Sequence, residues 1–124
     1  MRVLIADDQA DVRSALMILL EHTDEDFMLE EAGDTASLFE KAEVFRPEII
    51  LLDWELSGSN MWDEVSSLRK LVREVTIIAL SCRPEAARAA RAAGVDAFVS
   101  KGENSDILLE TIHKVKREAG QPAR

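Results

Sequence analysis

The stretch Pro47-Glu48-Ile49-Ile50-Leu51-Leu52-Asp53 decides the fold. Four successive branched aliphatic residues cannot alternate a dry face with a wet one, so a strand made from them wants both faces buried. That is the centre of a parallel sheet with helices on either side. Working outward, Arg2-Val3-Leu4-Ile5-Ala6 is a second such run, ending at Asp7-Asp8, and Ala10 to Glu21 follows it with Val12, Ala15, Leu16, Leu19 and Leu20 on one helical stripe. Phe27 to Ala32 alternates with acids, which suits an edge strand. Asp34 can cap a helix that turns Ala36, Leu38, Phe39, Ala42 and Phe45 inward and stops at Pro47. Beyond Asp53, a Ser/Gly/Asn loop precedes a helix from about Asn60 to Leu71. Val75 to Leu80 is a fourth strand, Pro84 opens an Ala-rich helix ended by Gly94, and Val95 to Val99 is a fifth. Ile107, Leu108, Ile112 and Val115 stripe a last helix. Five apolar runs alternating with five helical segments are the signature of a parallel sheet covered by helices.

The chain has 124 residues and a mass of 13.8 kDa, the size of one domain. At 47% hydrophobic and 31% charged it can fill a core and coat it. The single cysteine, Cys82, makes no internal disulfide, belongs to no zinc-ligand spacing and is expected to pack as a small buried hydrophobe. His22 and His113 have no companions in sequence and read as solvated or packed residues. The N-terminal apolar run meets Asp7-Asp8 too soon for a signal-peptide core, and no run approaches a bilayer span, so the expected location is cytoplasmic with no membrane partner. Fifteen Lys and Arg against twenty-four Asp and Glu give a net charge of -9, the wrong sign for direct nucleic-acid binding. Glu21 to Glu43 alone carries nine acids and one base, a solvated acidic face. Arg83 to Lys101, by contrast, is net basic. Glu118 to Arg124 has no apolar anchor, so the domain is expected to span residues 1–118 and residues 119–124 to form a tail or the start of a linker.

The chemistry lies in the residues just past each strand. Strand one runs into Asp7-Asp8, strand three into Asp53, strand four into Ser81 and strand five into Ser100-Lys101. Open α/β sheets bind ligands beyond the carboxyl ends of their strands, so these side chains should meet at one edge. Taken singly, each has an ordinary role: Asp7-Asp8 as a helix cap, Asp53 and Ser81 as turn residues, Lys101 as surface. Together Asp7, Asp8, Asp53, Ser81 and Lys101 are three carboxylates, a hydroxyl and an ammonium. Clustered carboxylates repel unless a cation sits among them, and an all-oxygen set favours a hard ion such as Mg2+. The ammonium and hydroxyl beside it suit a phosphoryl group. With no His or Cys placed to act as nucleophile, a carboxylate is left to attack.

The stretches Val3-Leu4-Ile5-Ala6-Asp7-Asp8, Pro47 to Asp53, and Ala93-Gly94-Val95-Asp96-Ala97-Phe98-Val99-Ser100-Lys101 resemble the receiver domain of bacterial two-component response regulators, and the similarity runs from about Arg2 to Val115. Ser100-Lys101-Gly102 and the helix after it resemble the LuxR-type subgroup. The resemblance implies a flavodoxin-like three-layer α/β/α sandwich with a five-stranded parallel sheet. It makes Asp53 the phosphoacceptor, Asp7, Asp8 and Asp53 the Mg2+-binding acids, Glu55 a further ligand through its backbone carbonyl, Ser81 and Lys101 the phosphoryl contacts, and Ser81 with Phe98 the switch pair. Three positions depart from the family pattern: Ser57 stands for proline, Met61 for glycine, and Gly102 for the proline that often follows the lysine. Without that proline a cis peptide costs about 2.5–4 kcal/mol, which opens another route for Lys101 into the site. Trp54 and Trp62 are bulky for the loop they flank, and Met61 and Trp62 can simply be core.

The function so implied is a phospho-accepting signalling domain of a phosphorelay, not an enzyme beyond its own phosphorylation and slow dephosphorylation. Its donor is a histidine kinase or phosphotransfer protein; the resemblance is compatible with transcription regulation, although the sequence does not name the output, and with a homodimer through the fourth helix, fifth strand and fifth helix. Two alternatives stand beside it. One is a receiver-like interaction module independent of phosphorylation. The other is a Mg2+-dependent phosphohydrolase with an aspartyl nucleophile, faintly suggested by Asp53-Trp54-Glu55.

Overall fold

A computed structural model describes residues 1–23, 25–56 and 60–119; Ser57 and the tail beyond Ala119 lie outside the described residues. The elements are β1 (Arg2–Ala6), α1 (Ala10–Glu21), β2 (Met28–Ala32), α2 (Thr35–Phe45), β3 (Ile49–Asp53), α3 (Met61–Leu71), β4 (Thr76–Ser81), a 3₁₀ turn (Pro84–Ala86) running into α4 (Ala87–Ala92), β5 (Ala97–Ser100) and α5 (Ser105–Ala119). The sheet is parallel throughout in the order β2-β1-β3-β4-β5. This is the flavodoxin-like three-layer arrangement, with β3 at the centre and every residue of it buried.

The period of a strand sorts the core into two layers. Ile50 and Leu52 of β3 face Leu38 and Ala42 of α2, Val65 and Leu68 of α3, and Ala90 of α4. Ile49 and Leu51 face the other way, with Leu20 of α1 and Leu108, Ile112 and Val115 of α5. Each fully buried leucine or isoleucine in these layers contributes about 1.5–3 kcal/mol relative to an exposed one. The helices are less deeply embedded than their apolar stripes suggest: Ala15, Ala36 and Ile107 are exposed.

Several boundaries differ from the sequence reading. β4 and β5 continue through Ser81 and Ser100, which pair across the ladder, while Val75 and Val95, expected as their first residues, lie outside the strands. α2 ends at Phe45, stopped before Pro47 as expected. The residue preceding a proline is pushed out of the right-handed helical region, and Arg46 takes the left-handed one at φ 53, its N–H reaching Ala42 O. Asp34 caps the helix as expected, accepting from Ser37 N. Gly94 stands at φ 100 with open space where a Cβ would project, so backbone conformation is what glycine supplies there.

Three side chains sit otherwise than the sequence suggests. Cys82 is exposed, because it lies one residue past the end of β4. Met61 is core, but Trp62 is 52% exposed, one step off the buried helical stripe Met61, Val65, Leu68. His113 has a companion, Glu25, with Nε2 3.3 Å from Oε1. No described helix is long and apolar enough to cross a membrane.

Candidate functional site

From β1 the chain crosses to β2 at the edge and then returns to β3 on the other side of β1. The connections on either side of β1 diverge there and leave a crevice at the carboxyl ends of β1 and β3. Asp7 leaves β1 into it, its N–H bonded to Ala32 O at 3.0 Å. Asp53 closes β3. Both are buried, whereas Asp8 is exposed at the rim. Carboxylate oxygens of Asp7, Asp8 and Asp53 all lie within 4.8 Å of one another. Helix capping does not explain the acidic pair, since the N-cap of α1 is Gln9 and no side chain caps it. Arg13 braces this end of β1 from α1, its Nη1 donating to Asp7 O at 2.7 Å and its Nε to Glu31 Oε1 at 2.7 Å.

Lys101 reaches the same crevice from the end of β5. Its N–H bonds Ser81 O at 2.8 Å, and its Nζ lies 2.6 Å from Asp7 Oδ2 and 3.2 Å from Asp53 Oδ1. No described peptide bond is cis, so with Gly102 following it the lysine still reaches both acids through a trans bond. Burial weakens the case for its charge, but the hydrogen bond to Asp7 and the Asp53 carboxylate outweigh it and raise its pKa above 10.5. Burial, then the charge of Asp7, push Asp53 above the ordinary 3.8, against the opposing pull of the Glu55 N–H and Lys101. Asp53 Oδ1 accepts that N–H at 3.2 Å. A buried, like-charged group of this kind is short of cationic company, and an all-carboxylate oxygen set fits Mg2+.

Ser81, fully buried at the end of β4, turns its hydroxyl to the Glu55 carboxylate, 2.9 Å from each oxygen. It also accepts the Arg83 N–H at 3.0 Å, and Arg83 Nη2 lies 3.2 Å from Glu55 Oε2. The Glu55 side chain is therefore a member of the site that the sequence reading, which gave this residue only a backbone role, did not include. Phe98, half-buried on β5 opposite Ala79, packs against the α2–α4 core layer.

The fold, the acidic triad and the lysine define a receiver. The chain belongs to the response regulator receiver domain family, whose family model matches residues 3–113. It is 30% identical over 113 residues to the nitrate/nitrite response regulator NarP of Escherichia coli, covering 90% of this chain and 53% of that protein. A LuxR-family DNA-binding response regulator from Staphylococcus aureus superposes with a TM-score of 0.78 at 27% identity, covering 92% of this chain and 97% of that one. The response regulator TrrA of Thermotoga maritima, solved in complex with Mg2+-BeF, does so at 0.80 with 24% identity, over 92% of this chain and 97% of its own. The chain spans about half the length of the curated relatives it matches. It is a signalling domain of the two-component type, a class that works with histidine kinases or phosphotransfer proteins and generally binds Mg2+ at its acidic pocket.

Proposed function

We propose that this domain accepts a phosphoryl group on Asp53 from the phosphohistidine of a kinase or phosphotransfer protein. The observation that carries the reading is the meeting of Asp7, Asp8 and Asp53 oxygens within 4.8 Å, with one ammonium held between two of them. An Asp53 carboxylate oxygen forms the new P–O bond in line as the P–N bond breaks, its electron pair leaving on the imidazole nitrogen. Lys101 offsets charge on the equatorial oxygens, and Asp7 holds the lysine in place. Asp7, Asp8, Asp53 and the Glu55 carbonyl would hold Mg2+, which when bound neutralises negative charge on the transferring group. Ser81 then takes a phosphoryl oxygen and Phe98 changes its packing, a shift in a pre-existing equilibrium. The modified surface is read through α4, β5 and α5, by a second copy of the domain or by a partner. The cellular setting that fits is the cytoplasm. In a longer protein, the NarP-like and LuxR-like relatives favour transcription regulation as output, through a separate DNA-binding module and not through this acidic domain.

Intact mass after incubation with acetyl phosphate tests this. One phosphoryl adduct is expected, dependent on Mg2+ and absent in Asp53→Asn. No adduct on the wild type would favour a receiver-shaped module that works without phosphorylation, and an equal adduct on the variant would move the acceptor elsewhere.

A further inference from the structure

The hydroxyl assigned to the phosphoryl group is already engaged. Ser81 Oγ carries one proton and has both oxygens of the Glu55 carboxylate 2.9 Å away. A hydrogen bond to an ionised acceptor is roughly twice as strong as a neutral one. Ser81 is fully buried, so releasing Glu55 leaves a buried donor without a partner, which is costly, unless another acceptor arrives. The contact also crosses the sheet edge. Glu55 lies two residues beyond Asp53, Arg83 two beyond Ser81, and β3 and β4 are neighbours, so the carboxylate ties together the two loops that a phosphoryl group on Asp53 must meet. Arg83 closes the tie, its guanidinium 3.2 Å from Glu55 Oε2 and its N–H 3.0 Å from Ser81 Oγ.

We infer that Glu55 is an internal competitor for the Ser81 hydroxyl: a latch that holds Ser81 in the resting domain and has to open before Ser81 can bind a phosphoryl oxygen on Asp53. The inference rests on the receiver reading and adds a regulatory role for a side chain of the same site. One O–H cannot serve both anions. The phosphoryl group gains Ser81 only by taking it from Glu55, and part of its interaction energy goes into opening the latch.

Repulsion between Glu55 and any incoming anion would also oppose binding, and a double-mutant cycle separates the two effects. Calorimetric titration of beryllofluoride at saturating Mg2+ is compared for wild type, Glu55→Ala, Ser81→Ala and the double variant. The latch makes Glu55→Ala bind roughly fivefold more tightly than wild type, the size of one net hydrogen bond, with most of that gain gone in the Ser81→Ala background. A gain of equal size in both backgrounds would be repulsion alone and would overturn the latch, as would no gain. A second measurement needs no ligand: amide hydrogen exchange at Arg83 should be faster in Glu55→Ala than in wild type, because the Ser81 oxygen that accepts this N–H is no longer held. Unchanged exchange overturns the latch. A wild type that binds no beryllofluoride overturns the receiver reading instead, and unchanged exchange at Arg83 in Glu55→Ala still overturns the latch.

Discussion

Lys101 Nζ lies 2.6 Å from Asp7 Oδ2, joining residues 94 positions apart in sequence. The pair brings the end of β5 to the end of β1 across the two strands between them. Because the same ammonium is 3.2 Å from Asp53, it is also the one described cation lying between the two buried acids.

Removing it therefore has two separable effects. Lys101→Ala should lower the rate of phosphoryl capture by about 10²-fold, the loss expected for a donor aimed at developing charge. It should also destabilise the domain by roughly 1.5–3 kcal/mol in the absence of divalent cation, the size of a hydrogen bond to a charged group, since Asp7 and Asp53 lose a shared counter-charge. Thermal melts with added Mg2+ should recover part of that loss by mass action. Capture equal to wild type would show that the lysine contributes to folding only.

Trp54 gives the site an internal probe. It follows Asp53 directly, its backbone N–H donates to Leu80 O at 2.8 Å, and its side chain, 8% exposed, is packed in the core layer under α2, α3 and α4, so a change at the neighbouring acid should reach a ring held in one environment. Mg2+ or beryllofluoride should shift its emission with a saturable dependence on concentration. Trp62, more than half exposed, supplies a background that Trp62→Phe removes. A flat titration to millimolar metal in that variant would mean that the acids do not bind Mg2+ at useful concentrations.

The sheet was legible in the sequence because β3 could be nothing else: Ile49 to Leu52 has no polar face to give to water. The meeting of Asp7, Asp8, Asp53 and Lys101 was legible for a related reason, since a parallel sheet delivers the residue after each strand to the same edge. What the sequence did not disclose lies one or two residues farther on. Beyond a strand end, side-chain direction follows no period, so nothing in Asp53-Trp54-Glu55 said that the Glu55 carboxylate turns back to Ser81. The exposure of Cys82 escapes the sequence for the same reason. The left-handed close of α2, with Arg46 at φ 53, is held by a bond from Arg46 Nη1 to Leu71 O at 2.9 Å, which no local pattern contains.

Glu25 should give the fold a pH dependence. Its hydrogen bond to Lys116, at 2.6 Å, ties the turn between α1 and β2 to α5 and lowers its pKa below the ordinary 4.5. A carboxyl whose folded pKa is depressed contributes stability above its unfolded value and loses it as pH falls through the folded one. Glu25→Gln should therefore melt below wild type at pH 7, and the two curves should converge once the pH is well under 4.5. A constant gap across the range would assign the effect to packing of the side chain.

Basic charge gathers at the edge of the sheet opposite the acidic one. Arg83, Arg88 and Arg91 are exposed on or beside α4, whereas most acids between Glu21 and Glu43 are exposed around β2, the other edge strand. Isolated surface charges of this kind contribute little to stability. On the proposed mechanism their placement would give them a role in encounter: α4 lies between Ser81 and Phe98 in the chain, so movement of that pair would reach the basic helix, and charge complementarity would set the rate and orientation of association. Sedimentation of the domain with Mg2+ and beryllofluoride should show self-association that weakens roughly tenfold on raising salt, as steered contacts do. Arg88→Glu with Arg91→Glu should remain monomeric under the same conditions while binding beryllofluoride as tightly as wild type, since neither arginine touches the site. A wild type that stays monomeric would reject self-association and leave the basic face to a different, acidic partner.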